Sequence, residues 1–508
     1  MAINELKAGA ALNYVSIVLH MVVGLIYTPY MLHMLGQSEF GLYSLAASII
    51  AYLTVLDLGF GNAIIRYTAK FRAEGRQREQ EEMFGMFLLL YVGIGVVAVV
   101  AGSVLTLNVD RLFSAKMTTA EVERTRIMLW LMTFNLAFTF PMSIWGSIMT
   151  AYERFVFQRI VSIVRGVLNP VVMVVLLVVG YKAIAMVVVT TTFNVVTLLL
   201  NYWYCKHRLY IHVRFARFRW AFLKEVSIYS FWIFLNVIMD RIYWSTGQFV
   251  LGIYKGSVAI AVYSVAIQLQ QMYMMFSTAI SSVFLPRVTS MVAKGNDRST
   301  VSDLFIRTGR IQYIVMAYIL TVFIVLGQPF IHLWAGAGYE DSYIIALLFF
   351  IPLTVPLIQN LGVIILQARN EMKFRSILYI IIALASLGLS IPLTKYYGGI
   401  GCAVGTATAL TVGQIIIMNI YYRRKQSIAI GRFWREIGRM SVVPLMMGSV
   451  SLGMIALLHI NLLSVSRFAL GVVIFSIFYL PLFWRFSMND NERALFMKPI
   501  NLLMQKIR

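Results

Sequence analysis

Charge is scarce in this chain. Only 13% of its 508 residues are Asp, Glu, Lys or Arg, while 60% are apolar or aromatic; soluble globular proteins carry about 25% charge. So few charges cannot cover the surface of a soluble protein this long, which excludes a string of soluble domains. Acidic residues are the scarcest: 21 Asp and Glu stand against 43 Lys and Arg, a formal net charge of +22. In a soluble chain that balance would suggest nucleic acid. Between long apolar runs it indicates cytoplasmic loops beside an anionic leaflet, and no nucleic-acid partner is expected. Cysteine is nearly missing: Cys205 and Cys402 are too few for a disulfide framework or a zinc cluster. The opening MAINELK has no basic n-region leading to a small-residue cleavage site, so no removable signal peptide is expected. HExxH, Walker A and GxSxG do not occur. The stretch Gly93 to Ala98 formally matches a dinucleotide fingerprint but lies in an apolar run with no strand before it. The chain is therefore expected not to be an enzyme and to hold no metal or bound cofactor.

Apolar runs are what it has in abundance. A bilayer crossing takes about 20 mostly apolar residues, and such runs are read at 9–33, 40–65, 83–107, 127–150, 160–180, 184–204, 226–251, 258–285, 308–328, 343–366, 376–394, 400–422, 440–459 and 464–484. The fold class is all-α: a polytopic membrane protein of about fourteen transmembrane helices. Of the 43 basic residues, 34 fall on the side of the N-terminus and seven opposite. That asymmetry makes the N-terminal side cytoplasmic, and an even number of crossings returns the C-terminus to it. No outer loop exceeds about twenty residues, which argues against a polymerase or ligase with its catalytic residues in a large outer loop.

The chain also repeats itself. Gly36, then Tyr43-Ser44-Leu45-Ala46, matches Gly256, then Tyr263-Ser264-Val265-Ala266, at an offset of 220. Ala151 through Phe157 match Ala368 through Phe374 at 217, and Tyr181, Ile184, Thr190 and Thr192 match Tyr397, Ile400, Thr406 and Thr408 at 216. Six crossings per unit give both units one orientation, related by an axis along the membrane normal, and such repeats are transporter architecture. The expected organisation is a six-helix lobe with a cytoplasmic linker over 1–225, a second six-helix lobe over 226–425, and helices 13 and 14 with a basic tail over 426–508.

Ionisable groups inside hydrocarbon cost about 2.5–3.5 kcal/mol each on insertion scales, so each one needs a reason. Asp240 and Arg241 lie halfway between Lys224 and Lys255, near mid-membrane. Neighbours on a helix point about 100° apart and cannot fully satisfy each other, so at least one faces a cavity or another helix. The competing reading is a buried ion pair. Tyr229, Trp232 and Asn236 give the same helix a polar-aromatic face suited to sugars and phosphates. His20 occupies the equivalent place in the first half, as a packing hydrogen bonder or a proton carrier. Asp57 sits about 13 Å along the helix from Arg66 and needs a partner or a cavity. Arg66, at the cytoplasmic edge, and Arg165, near the start of the fifth run, are read first as snorkelling. Pro29, Pro141, Pro170, Pro352, Pro356 and Pro392 interrupt apolar runs. Pro352 to Pro356, followed by Gln359-Asn360, is the expected hinge of the second lobe. Gly401 and Gly405 form a small-xxx-small pair that predicts close helix packing.

Two stretches, Leu35-Gly36-Gln37-Ser38-Glu39-Phe40-Gly41-Leu42-Tyr43-Ser44 and Asp57-Leu58-Gly59-Phe60-Gly61-Asn62-Ala63-Ile64-Ile65-Arg66-Tyr67, resemble bacterial polysaccharide-biosynthesis flippases. These are the O-antigen-repeat type of the multidrug/oligosaccharidyl-lipid/polysaccharide exporter superfamily, and the resemblance extends over essentially the whole chain. It implies a V-shaped pair of six-helix lobes with two extra helices, in the bacterial inner membrane. It implies translocation of an undecaprenyl-diphosphate-linked oligosaccharide, with membrane lipids and a polysaccharide polymerase machinery as partners. A cationic cavity for the headgroup would draw on Arg241, Arg66 and Arg165, and coupling to a proton or sodium gradient on Asp57, Asp240 and His20. Tyr229, Trp232, Asn236, Gln359 and Asn360 would supply polar and aromatic lining. A cation-coupled multidrug antiporter of the same superfamily and a membrane polymerase or acyltransferase stay open as alternatives.

Overall fold

A computed structural model describes residues 2–215, 220–293, 298–369 and 371–497; several side chains within the helices, those of Tyr229 and Trp232 included, lie outside the described residues. The described chain is helical throughout, with no strand. Met1–Ser264 with Ser376–Thr406 form one compact unit, and Val265–Arg375 with Ala407–Arg508 the other. The first unit holds α1 (Ala2–Leu53), α2 (Phe60–Ala73), α3 (Gln77–Leu107), the short α4 (Val109–Phe113), α5 (Thr119–Ala151), α6 (Phe155–Val178), α7 (Ala183–His207) and α8 (Trp220–Tyr254). Then come α9 (Ser257–Ala293), α10 (Arg298–Ala335), α11 (Asp341–Ile358), α12 (Asn360–Ala368), α13 (Lys373–Leu410), α14 (Met418–Arg424), α15 (Ile430–Leu457) and α16 (Val465–Phe486). The cut between units differs from the repeat boundary near residue 225. Helix α8 goes with the first unit, tied to it by the Tyr67 hydroxyl donating to Glu225 at 2.8 Å and by a bond between Tyr52 and Thr246.

Among the described residues, eleven helical stretches are long and apolar enough to cross a membrane. Two of them, Val15–Ala73 and Lys373–Arg424, run over a kink, at Gly36 (φ 75°) and Gly398 (φ 61°), and supply two crossings each. With the 35-residue α8 the number is fourteen. Both kinks fall on glycine because the left-handed half of backbone space is cheap only for a residue without Cβ. The chain is a multi-pass membrane protein. Its apolar side chains are exposed in rows that a soluble protein would bury, such as Ile160, Val164, Val167, Val171, Val175 and Val178 on α6; hydrocarbon is their solvent.

Prolines do not make the breaks. Helix continues through Pro29, Pro141, Pro170, Pro352, Pro356 and Pro392, because neighbouring polar side chains can take up the carbonyls a proline frees. The chain instead breaks after Asp57 and at Gln359, where α11 ends just past Pro356.

The two arms of α13 form a close hairpin, with Ser390 Oγ donating to the Cys402 carbonyl at 3.1 Å and Ser386 Oγ to Thr406 Oγ1 at 3.2 Å. Gly405 makes this approach possible, since a Cβ there would lie 2.7 Å from Ser390 N. Gly405→Val is expected to cost about 1–3 kcal/mol by overpacking, read as reduced membrane abundance and a lower unfolding temperature. Gly388→Val, where nothing lies within 4 Å of the new Cβ, should change neither.

Two polar knots fix helix ends. In the first unit, Thr118 and Glu121 form a capping box at the start of α5, and Glu121 Oε1 also accepts the hydroxyls of Ser38 and Ser257, each at 2.6 Å. Those serines sit on the turns after Gly36 and Gly256, the equivalent glycines of the repeat. Beside them Glu39, nearly buried, is paired with Arg124. In the second unit, Arg310 on α10 is 6% exposed and holds Glu492 bidentately at 2.6 and 2.9 Å, Glu436 on α15 at 2.6 Å, and the Ser487 carbonyl. Glu492 in turn caps the helix that follows α16, exchanging hydrogen bonds with Asn489.

Candidate functional site

The Asp57 segment is a helix break. Thr54–Asp57 is a single 3-10 turn. Leu58 and Gly59 then both take left-handed conformations, at φ 53° and 74°, before α2 resumes at Phe60. That region costs an L-residue about 1–2 kcal/mol and glycine little; Gly59 suits its place, and Leu58 is held in its place by the surrounding packing. The break takes Asp57 out of regular helix within an apolar run. Among the described residues its side chain meets only neutral donors, the Tyr91 hydroxyl at 2.9 Å and the Gly59 amide. Arg66 follows on α2, exposed, its guanidinium 5.8 Å from the centre of the Tyr67 ring.

Helix α8 carries the second set. Asp240 is exposed and accepts the Tyr379 hydroxyl at 3.0 Å. Arg241, half-buried beside it, has a buried Nε with no partner among the described residues, and no bridge joins the two. Asn236, one turn earlier, donates to Ser376 Oγ at 3.2 Å, and Tyr243, fully enclosed, donates to the Thr406 carbonyl at 2.9 Å. The Tyr229 and Trp232 side chains lie outside the described residues.

Arg165 stands further along its helix than the start of the apolar run suggested. Helix α6 begins at Phe155, five residues ahead of the apolar run, which puts Arg165 about 15 Å along a 24-residue helix. Its Nη1 donates to Asn194 Oδ1 on α7 at 3.2 Å. Asn194 Nδ2 donates onward to Asn135 Oδ1 and Thr139 Oγ1 on α5, both at 2.8 Å. Gln158 lies two turns before Arg165 on the same face and donates to the Gly146 carbonyl at 2.8 Å, so a polar seam joins α5, α6 and α7. His20 lies against this helix. Its Nδ1 donates to the Ser16 carbonyl at 2.7 Å, and its Cε1 is 3.4 Å from where a Cβ on Gly166 would stand. The structure thus places His20 one residue from Arg165.

Gln359 and Asn360 belong to the other unit and serve packing there. Gln359, 2% exposed, exchanges amide hydrogen bonds with Asn419, which also accepts from the Trp434 indole at 3.0 Å. Asn360 donates to Ser281 Oγ at 3.1 Å, and Ser277 Oγ donates to the Leu357 carbonyl at 2.8 Å. Together they satisfy the backbone and amide groups around the α11–α12 break.

Residues 6–292, more than half of the chain, match the family model of the polysaccharide biosynthesis proteins. The chain belongs to this family. Both motifs that carry the resemblance, Leu35 to Ser44 and Asp57 to Tyr67, fall inside the match. Among the curated relatives of this polysaccharide biosynthesis protein is the "Uncharacterized membrane protein EpsK" of Bacillus subtilis, 19% identical over 81% of this chain and 82% of that one. Another is the "Probable flippase AglR" of Haloferax volcanii, 21% identical over 86% and 89%. The solved structure of the lipid II flippase MurJ in an inward closed conformation superposes with a TM-score of 0.67 at 18% identity, covering 93% of this chain and 99% of that one. At that identity the likeness shows the fold. Within it, the residues that sequence reasoning passed over are Asn135, Thr139 and Asn194. Their signal was present: amides in apolar runs are costly and need partners.

Proposed function

We propose that this polysaccharide biosynthesis protein is a flippase. It carries an oligosaccharide joined through a diphosphate to an undecaprenyl lipid across the bacterial inner membrane, by alternating access, with both termini cytoplasmic. The observation that carries this reading is Arg241, a mid-membrane guanidinium whose Nε is buried and unpartnered among the described residues although a carboxylate stands next to it in sequence. A structural arginine in hydrocarbon would be paired. One whose charge no carboxylate cancels offers its two terminal nitrogens for charge-assisted, bidentate hydrogen bonds to a phosphate. Arg66 and Arg165 add cations for the same headgroup. Asp57 and Asp240 meet only neutral donors among the described residues, which suits acids that take up a proton or sodium ion.

Deleting the gene in its own host tests the proposal. The expected result is loss of a surface polysaccharide and accumulation of its lipid-linked repeat on the cytoplasmic leaflet, both reversed by the intact gene. Unchanged surface polysaccharide, with tolerance to cationic drugs lost instead, would assign the chain to antiport.

A further inference from the structure

Arg165 carries an imbalance that the rest of the seam does not explain. A guanidinium has five N–H donors, and the one hydrogen bond Arg165 makes among the described residues goes to a neutral amide oxygen. It stands at mid-helix with no carboxylate in reach among the described residues, where a counter-charge would ordinarily be expected. The amide that holds it has no freedom to turn. Both hydrogens of Asn194 Nδ2 are used, on Asn135 and Thr139, and a reversed amide would point donors at a cation. Asn194 therefore presents only its oxygen to Arg165, orienting the side chain without cancelling its charge.

Resting on the flippase reading, which already gives Arg165 to the headgroup, we infer that Asn194 is the positioning residue that holds Arg165 open to a phosphate in the first unit. The arrangement leaves four guanidinium donors and a full positive charge for an anion from outside the protein, with the fork held at a fixed angle from α7. His20 sets one wall beside it, packed on Gly166. The ligand class is a phosphate or diphosphate, bound bidentately.

Asn194→Asp discriminates this site from a packing device, because it changes charge at nearly constant shape. The new carboxylate would neutralise Arg165 from within the protein. The Asn135 amide can turn to donate to it, and the Thr139 hydroxyl can do so by giving up its bond to the Asn135 carbonyl, so the carboxylate finds donors within the seam. Purified full-length protein titrated with inorganic pyrophosphate should bind it saturably. In Asn194→Asp the affinity should fall about tenfold, equivalent to about 1.4 kcal/mol, while the unfolding temperature holds or rises. Arg165→Gln should show the same fall, and serves if Asn194→Asp does not accumulate. Wild-type affinity in either variant, or no saturable binding to the unmodified protein, overturns the inference. The outcomes separate from those of the deletion. Pyrophosphate binding that depends on Asn194, in a host whose polysaccharide survives deletion, leaves the anion site standing and removes the flippase. Polysaccharide lost on deletion but restored in full by Asn194→Asp, with wild-type binding, does the reverse.

Discussion

Arg241→Ala should abolish translocation while the protein inserts and accumulates as before. The side chain has no bridge to lose among the described residues, and its Nε is already unpartnered, so truncation removes a desolvation cost and breaks no internal bond. What disappears is the positive charge offered to a diphosphate where the dielectric is low and such a charge acts far more strongly than in water. Arg241→Lys should keep part of the activity, since a point charge attracts phosphate but lacks the fork. Surface polysaccharide and membrane abundance measured on the same cells check the expectation. Full polysaccharide in Arg241→Ala at normal abundance would remove this residue from the substrate path. A fall in abundance matching the fall in polysaccharide would make it a structural residue.

The opposite pattern is expected at Arg310. Here four of the five guanidinium donors are taken by Glu492, Glu436 and the Ser487 carbonyl, and both it and Glu492 are almost wholly buried. Removing one partner of such a group strands the others, and costs about 3–5 kcal/mol. Arg310→Ala should therefore collapse the membrane abundance of the protein and lower its unfolding temperature steeply, with activity lost in proportion to the protein lost. Replacing Arg310, Glu436 and Glu492 together by Met, Leu and Leu should recover most of the stability, because apolar side chains of similar volume incur no desolvation penalty. A triple variant as unstable as Arg310→Ala would show that the knot acts through specific geometry and not through uncompensated charge.

Features written as composition or spacing were legible before any coordinates. The all-helical membrane fold followed from long apolar runs, and the close packing at Gly401 and Gly405 from the four-residue spacing of two small residues. The Asp57 motif stood out in sequence, and its meaning as a left-handed break at Leu58 and Gly59 became visible only with the backbone. Arg165 looked nearer a helix end in sequence than it is, because the charged Arg154 and Arg159 push the start of the apolar run past the true start of α6 at Phe155. Gln359 and Asn360 were expected to line a cavity. Their amides satisfy a helix break, a use that depends on Asn419 and Ser281, far away in sequence. The Arg310 knot was lost among other basic residues near an interface, since nothing local distinguishes a saturated arginine from a solvated one.

The shared oxygen of Glu121 has a mechanical consequence. Ser38 and Ser257 are fastened to the same atom, each at 2.6 Å, so the two turns are riveted at one point. Ser257 Oγ also lies 3.5 Å from Ser38 Oγ, so the carboxylate and the two hydroxyls close a triangle that ties both turns to the start of α5. The equivalent turns of the repeat thus share one anchor, and an acid-to-amide change there would loosen two places at once.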